Sequence, residues 1–190
     1  MTLKRNLYRL LAAVTLLVSA GCASTTQGVK EDFAFEPGGQ TGLVVLSTRI
    51  TDACSSGMVP VNLNYARDTN DEHGILLLKN FLIKNDFHDP DGFFYIRALP
   101  AGRYSFYKIE MPGTILHGGH IAEPLRFEVK AGVTHYLGEV TVNVPRCTEK
   151  GVLPEPTVTV RDERDRDRKL FDARMKSLSS KDFQYAILGK

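Results

Sequence analysis

The chain has 190 residues, with 24 basic and 22 acidic side chains, three cysteines and no tryptophan. Setting aside residues 1–21, which hold three basic and no acidic side chains, leaves 169 residues with 21 basic and 22 acidic, a net charge of −1. That is enough chain for one ordinary domain with its own core. The lack of a basic excess argues against nucleic acid as a partner.

The first segment, MTLKRNLYRLLAAVTLLVSAG, sets Lys4, Arg5 and Arg9 before an apolar run from Leu10 to Val18, and Ser19-Ala20-Gly21 directly before Cys22. A basic head, a short apolar core and small residues at the boundary are the layout of an export signal. The run is well short of the ~20 residues a membrane-spanning helix requires, and no later segment comes closer, so the mature chain is expected not to span a bilayer. Val18-Ser19-Ala20-Gly21-Cys22 resembles the lipobox of bacterial lipoproteins, departing from it at Ser19, where leucine is commonest. The resemblance implies that residues 1–21 are a signal peptide that is removed, and that Cys22 carries acyl chains, palmitate among them, at the mature N-terminus. At ~0.8 kcal/mol per buried methylene, one chain attaches marginally whereas several hold a protein on a membrane. Ala23 stands where many Gram-negative lipoproteins retained at the inner membrane carry aspartate. The same resemblance therefore implies the outer membrane, facing the periplasm.

Residues 22–41 begin as a small-residue polar tether and close with Pro37-Gly38-Gly39. About twenty flexible residues reach roughly 25 Å r.m.s., which keeps the domain close to the membrane. Phe33 and Phe35 alternate with polar neighbours in a way that suits pairing with a sheet edge, which would end the free part near Val29.

From Gly42 onward the pattern predicts strand after strand: 43–51, 59–66, 74–84, 93–99, 103–111, 123–130, 135–144 and 156–161, rich in β-branched and aromatic residues and several of them alternating. Turn chemistry separates them, as at Asp89-Pro90-Asp91-Gly92, Pro100-Ala101-Gly102, Gly118-Gly119 and Ala131-Gly132. Short strands with no helical run between them exclude a βαβ architecture and favour an antiparallel β-sandwich over residues 42–161. Residues 89–113 read as the clearest hairpin, with a type I turn over Leu99-Pro100-Ala101-Gly102. Asp91-Gly92, Phe94, Ile96, Leu99-Pro100-Ala101-Gly102 and Tyr104, in that order, resemble the recurring motif of carboxypeptidase-regulatory-like and transthyretin-like β-sandwich domains. That motif also occurs in bacterial lipoproteins of unknown function. Residues 127–142, FEVKAGVTHYLGEVTV, resemble the strand pair that often closes such domains. Over residues 42–145 the resemblance implies an immunoglobulin-like or transthyretin-like fold and no activity, since such folds host unrelated functions. It also assigns Phe94, Ile96, Leu99 and Tyr104 to the core, leaving Phe93, Tyr95 and Tyr107 as surface contacts for a partner.

Residues 162–190 change character. The run Arg161–Lys169 alternates sign, and Phe171, Met175 and Leu178 fall at helical spacing, which predicts a C-terminal helix over 162–178 with the charges on a solvated face. Phe183, Tyr185 and Ile187 alternate, consistent with a last strand or a segment packed back on the domain.

Candidate sites are few. His117 and His120 have the spacing of two metal ligands, but a zinc site needs three or four, and the pair flanks a Gly-Gly turn. Asp86, His88, Asp89 and Asp91 lack the full loop of a calcium site. No nucleophile elbow, zincin helix or phosphate-cradling loop is present in the sequence. One branch of the transthyretin-like fold consists of hydrolases of a purine-degradation intermediate that end in Tyr-Arg-Gly-Ser, whereas this chain ends in AILGK; His73, Arg97 and His135 would have to converge for such chemistry. Cys54 and Cys147 are the even pair left after Cys22, and an oxidising compartment suits a disulfide between them. The expectation is a non-enzymatic lipoprotein of the outer membrane, a binding or envelope-assembly module with no cofactor or metal, held by Cys22 and serving an envelope protein partner. A periplasmic hydrolase and a carrier of a small ligand or metal are the alternatives.

Overall fold

The computed structural model describes residues 28–52, 60–80, 82–87, 92–111, 119–144, 156–178 and 183–189. The β-branched and aromatic segments form strands β1 (Thr41–Asp52), β2 (Val61–Arg67), β3 (His73–Lys79), β4 (Gly92–Pro100), β5 (Gly102–Glu110), β6 (Gly119–Val129), β7 (Thr134–Val144) and β8 (Thr157–Arg161), followed by helix α1 (Arg164–Arg174) and strand β9 (Phe183–Tyr185). The chain is mainly β: two sheets face each other, with one C-terminal helix. One sheet runs β4-β1-β7, with β8 and β9 both paired to β7; the other runs β3-β2-β5-β6. Most neighbours are antiparallel, as expected, but β1 lies parallel to β7 and β9 parallel to β7.

Residues 89–113 do not form a hairpin. β4 pairs with β1 in one sheet and β5 with β2 and β6 in the other, so the Leu99–Gly102 turn is an arch from sheet to sheet. Alternation along a strand is the same in a hairpin and in an arch; partners distant in sequence decide between them. Here the arch is held by Ala101 N–H donating to Gln40 O at 2.7 Å and by the Tyr104 hydroxyl donating to Pro100 O at 2.9 Å.

Sheet β4-β1-β7 is covered on both faces. On β1, Val44, Leu46 and Ile50 turn toward the second sheet, where they meet Leu63, Tyr104, Phe106 and Phe127 in the larger apolar cluster. Leu43 and Val45 turn outward into a second cluster with Phe94, Ile96, Tyr136, Phe171, Met175 and Phe183, roofed by α1, with β9 at the sheet edge. Double cover explains why Phe93 is buried at 4 % exposure and Tyr95 half-buried, so neither is the exposed contact that alternation predicts. Phe94, Ile96, Leu99 and Tyr104 are buried as expected, the first two outside and the last two between the sheets. Val29, Phe33 and Phe35 also lie against the outer cluster, so residues 28–40 dock by side chains rather than by pairing with an edge.

A bulge tunes β7. Val45 pairs with Tyr136, yet Ser47 pairs with Glu139, so β7 carries one extra residue. Gly138 takes it up at φ +95°, and a Cβ there would stand 2.8 Å from Arg161 O. The extra residue puts both Tyr136 and Glu139 on the outer face, where they meet α1.

Candidate functional site

Two strands with one open side, β3 and β4, border a cleft of about 540 Å³. Its walls are Ile75 and Leu77 of β3, Phe93 to Arg97 of β4, Ile83, Lys84 and Asp86 of the intervening loop, Gly28, Val29 and Glu31 of the N-terminal segment, and Arg174 at the end of α1. Open strand edges offer unpaired amides and carbonyls, and here side chains take those positions. Leu77 N–H donates to the Tyr95 hydroxyl at 2.8 Å, and that hydroxyl donates to Leu77 O at 3.0 Å. Phe94 N–H donates to Asp86 Oδ2 at 2.8 Å, while Arg174 Nη1 donates to Phe94 O at 3.2 Å and the two side chains pair with each other. Burial pushes the Tyr95 phenol well above its ordinary range, so it stays protonated and able to bridge. The volume is that of small-molecule sites, which are mainly apolar with a few placed polar groups. Chemically the cleft offers aromatic and aliphatic walls, with guanidinium and ammonium groups from Arg97, Arg174 and Lys84.

On the outer face of sheet β4-β1-β7, α1 is clasped by a buried charged network. Asp167, fully buried, accepts from Ser47 Oγ at 2.7 Å, from the Tyr136 hydroxyl at 3.0 Å and from Arg166 Nε at 2.8 Å. Arg166 also donates to Glu139 Oε2 at 2.7 Å and to Ser47 Oγ at 2.7 Å, and Arg49 donates to the same Glu139 oxygen at 3.0 Å. Phe87 lies under both guanidiniums, 4.2 Å from that of Arg166 and 4.7 Å from that of Arg49. Glu163, at the helix N-cap, has no side-chain cap; its N–H donates instead to the Tyr136 hydroxyl at 3.2 Å. Burial, with the Asp167 carboxylate beside it, pushes the Tyr136 phenol far above its ordinary range. Two cations and two anions cancel. Ser47 Oγ is fully buried and accepts from a guanidinium, so it is a strut rather than a nucleophile. The charged run before Phe171 is therefore not wholly a solvated face, because Asp167 and part of Arg166 are interior.

The other sequence candidates scatter. His135 is buried and turned back to the connection between β6 and β7, which lie in different sheets, its Nε2 accepting Lys130 N–H at 3.0 Å. His73 is exposed at the start of β3, and Arg97 stacks on Tyr95 at 5.3 Å. His120 is exposed on β6, 6.4 Å from the Tyr107 ring. Asp86 belongs to the cleft. Cys22, Cys54, His88, Asp89, Asp91, His117 and Cys147 lie outside the described residues. Among the described residues no three His, Cys, Asp or Glu side chains gather as metal ligands, and no helix is long and apolar enough to cross a membrane. The cleft residues Ile83 and Lys84 were hidden in a strand expected to run to residue 84. The strand ends at Lys79, and Asn80, a common turn residue, was the available signal. Comparison with protein-family models, with curated proteins and with solved structures gives no match.

Proposed function

We propose that this chain is a non-enzymatic binding module, lipid-anchored through Cys22 at the periplasmic face of the outer membrane, whose ligand occupies the cleft between β3 and β4. The observation that carries the reading is the cleft itself: about 540 Å³, walled by Phe93, Phe94, Tyr95, Leu77 and Ile83, and opening beside Gly28, six residues beyond Cys22. The same volume supports a small-ligand carrier. The hydrolase alternative has less support, because Asp86 is engaged by Phe94 N–H and Arg174, and among the described residues no histidine lines the cleft.

Two experiments test this. Cys22→Ser should move the protein out of the tightly bound membrane fraction; unchanged membrane association and an unchanged hydrophobic N-terminal mass would refute the anchor. A photo-crosslinking residue at Ile75 of β3, compared with one at Tyr185 on the edge of the other sheet far from β4, should capture a ligand or an envelope protein partner only at the cleft. Equal capture at both positions, or none, would refute the site.

We also propose that Cys54 and Cys147 are bridged. β1 and β7 end side by side, Asp52 pairing with Val144, so the two cysteines follow two and three residues beyond one register point. Extended chain advances about 3.3–3.6 Å per residue, which makes the required Cα separation below ~7 Å easy to reach. Thiol counting on protein unfolded without reductant should find neither free; two reactive thiols would exclude the bridge.

A further inference from the structure

Among the described residues three large apolar side chains are exposed, and two of them are adjacent: Leu82 at 79 % and Ile83 at 41 %. Hydrogen bonds flank them on both sides in the chain. Leu82 N–H donates to Asn80 Oδ1 at 2.8 Å, a side-chain turn that sets the tip. On the far side, Asp86 N–H and Phe87 N–H both donate to Gly92 O, and the Phe87 ring is buried beneath Arg49 and Arg166. Lys84, exposed, follows the apolar pair. A branched apolar pair beside an ammonium group is the chemistry of an interfacial anchor, in which the aliphatic parts enter the acyl boundary and the cation stays among the lipid phosphates.

The position of the tip selects the partner. Ile83 and Lys84 line the same cleft as Gly28 and Val29, so the tip lies at the end of the domain from which the chain leads back to Cys22. Residues 22–27 span at most about 20 Å when fully extended. We infer that the Leu82-Ile83-Lys84 tip docks on the phospholipid surface that holds Cys22, giving the domain a second, non-covalent foot beside its tether. This rests on the lipid anchor proposed above. Tethering raises the local concentration of lipid, so a contact too weak to recruit the free protein suffices to orient the anchored one.

The absence of tryptophan makes the test direct. Full-length lipidated chain carrying Leu82→Trp is reconstituted into vesicles of phosphatidylethanolamine and phosphatidylglycerol, with Tyr185→Trp as the control on the far edge of the sheet. Flotation with the vesicles reads the anchor. Indole emission and its quenching by lipids brominated on their acyl chains read the docking. The Leu82→Trp protein is expected to float, to emit at shorter wavelength than in detergent-free buffer, and to lose most of its emission to brominated lipid, while the Tyr185→Trp protein keeps its own. A floating Leu82→Trp protein with water-exposed, unquenched emission overturns the docking and leaves the anchor standing. A blue shift without bromine quenching assigns the tip to a protein surface, a second copy included, and also overturns it. A protein that does not float refutes the anchor and this inference together.

Discussion

The two faces of sheet β4-β1-β7 are built on different principles. The face toward the second sheet is dry: Val44, Leu46, Leu63, Tyr104, Phe106, Phe127, Val140 and Val142 are buried there, and the Tyr104 hydroxyl, raised by burial to a pKa of about 12, is spent on Pro100 O. The outer face mixes Leu43, Val45, Phe94 and Phe171 with Ser47, Glu139, Arg166 and Asp167. Apolar contact is non-directional and would hold a helix at many rotations, whereas a carboxylate with three donors has one satisfactory arrangement. The dry face supplies most of the adhesion, and the wired face supplies the address at which α1 docks.

That contrast can be broken from either side. The largest effect is expected from Asp167→Ala, which leaves Arg166 partly buried without one of its carboxylates and strips Ser47 and Tyr136 of their acceptor; breaking such a buried pair costs about 3 to 5 kcal/mol, read as a fall in the urea midpoint. On the dry face Leu46→Ala, at 1 % exposure, is expected to cost about 2 to 5 kcal/mol through lost burial and a cavity. The two differ under repair. Replacing the partners together, Asp167→Leu with Arg166→Met and Ser47→Ala, leaves the Arg49–Glu139 pair balanced and should restore most of the loss, because an apolar substitute for a buried ion pair is often neutral or better. If the triple variant is as unstable as Asp167→Ala, directional wiring rather than charge balance is what α1 needs.

A smaller effect separates the faces by pH. Burial, aided by Lys130, holds the His135 imidazole below its ordinary 6.5, so the folded protein resists a proton that the unfolded chain accepts. Its contribution is therefore full above that value and is lost as pH falls through the folded pKa. His135→Gln should flatten the decline in stability measured between neutral and mildly acid buffer; an unchanged slope would show that the proton goes elsewhere. The smallest effect is expected from Tyr104→Phe, which removes one hydrogen bond from the arch at a cost of about 0.5 to 1.5 kcal/mol. A loss nearer that of Leu46→Ala would give the arch a larger share of the fold than its single bond suggests.

What could be read from residues alone follows the same division. Strand after strand was legible, because alternation and turn residues are local, and so was the C-terminal helix; alternation in the tail left a last strand and a packed-back segment equally open, and the structure has the strand at Phe183–Tyr185. The arch after Leu99 was not, because a hairpin and a sheet crossing share one pattern. The burial of Phe93 was not either, since alternation assumes one wet face and this strand has none. Nor did Asp167 differ in sequence from the acids around it; its partners Ser47 and Tyr136 arrive from two other strands. In the cleft the aromatic walls were visible as residues, but the Asn80 turn that frees Ile83 and Lys84 from β3 was weaker than the apolar run FLI around it.

The parallel pairing of β1 with β7 also sets a timetable. The central strand of the sheet is nearly the first to emerge from synthesis, yet Arg49 meets Glu139 across 90 positions and Ser47 meets Asp167 across 120. Contacts so distant must await the last part of the chain, and high contact order slows folding. A polypeptide arranged in this way stays unlocked while it is being made and closes only when its final helix arrives.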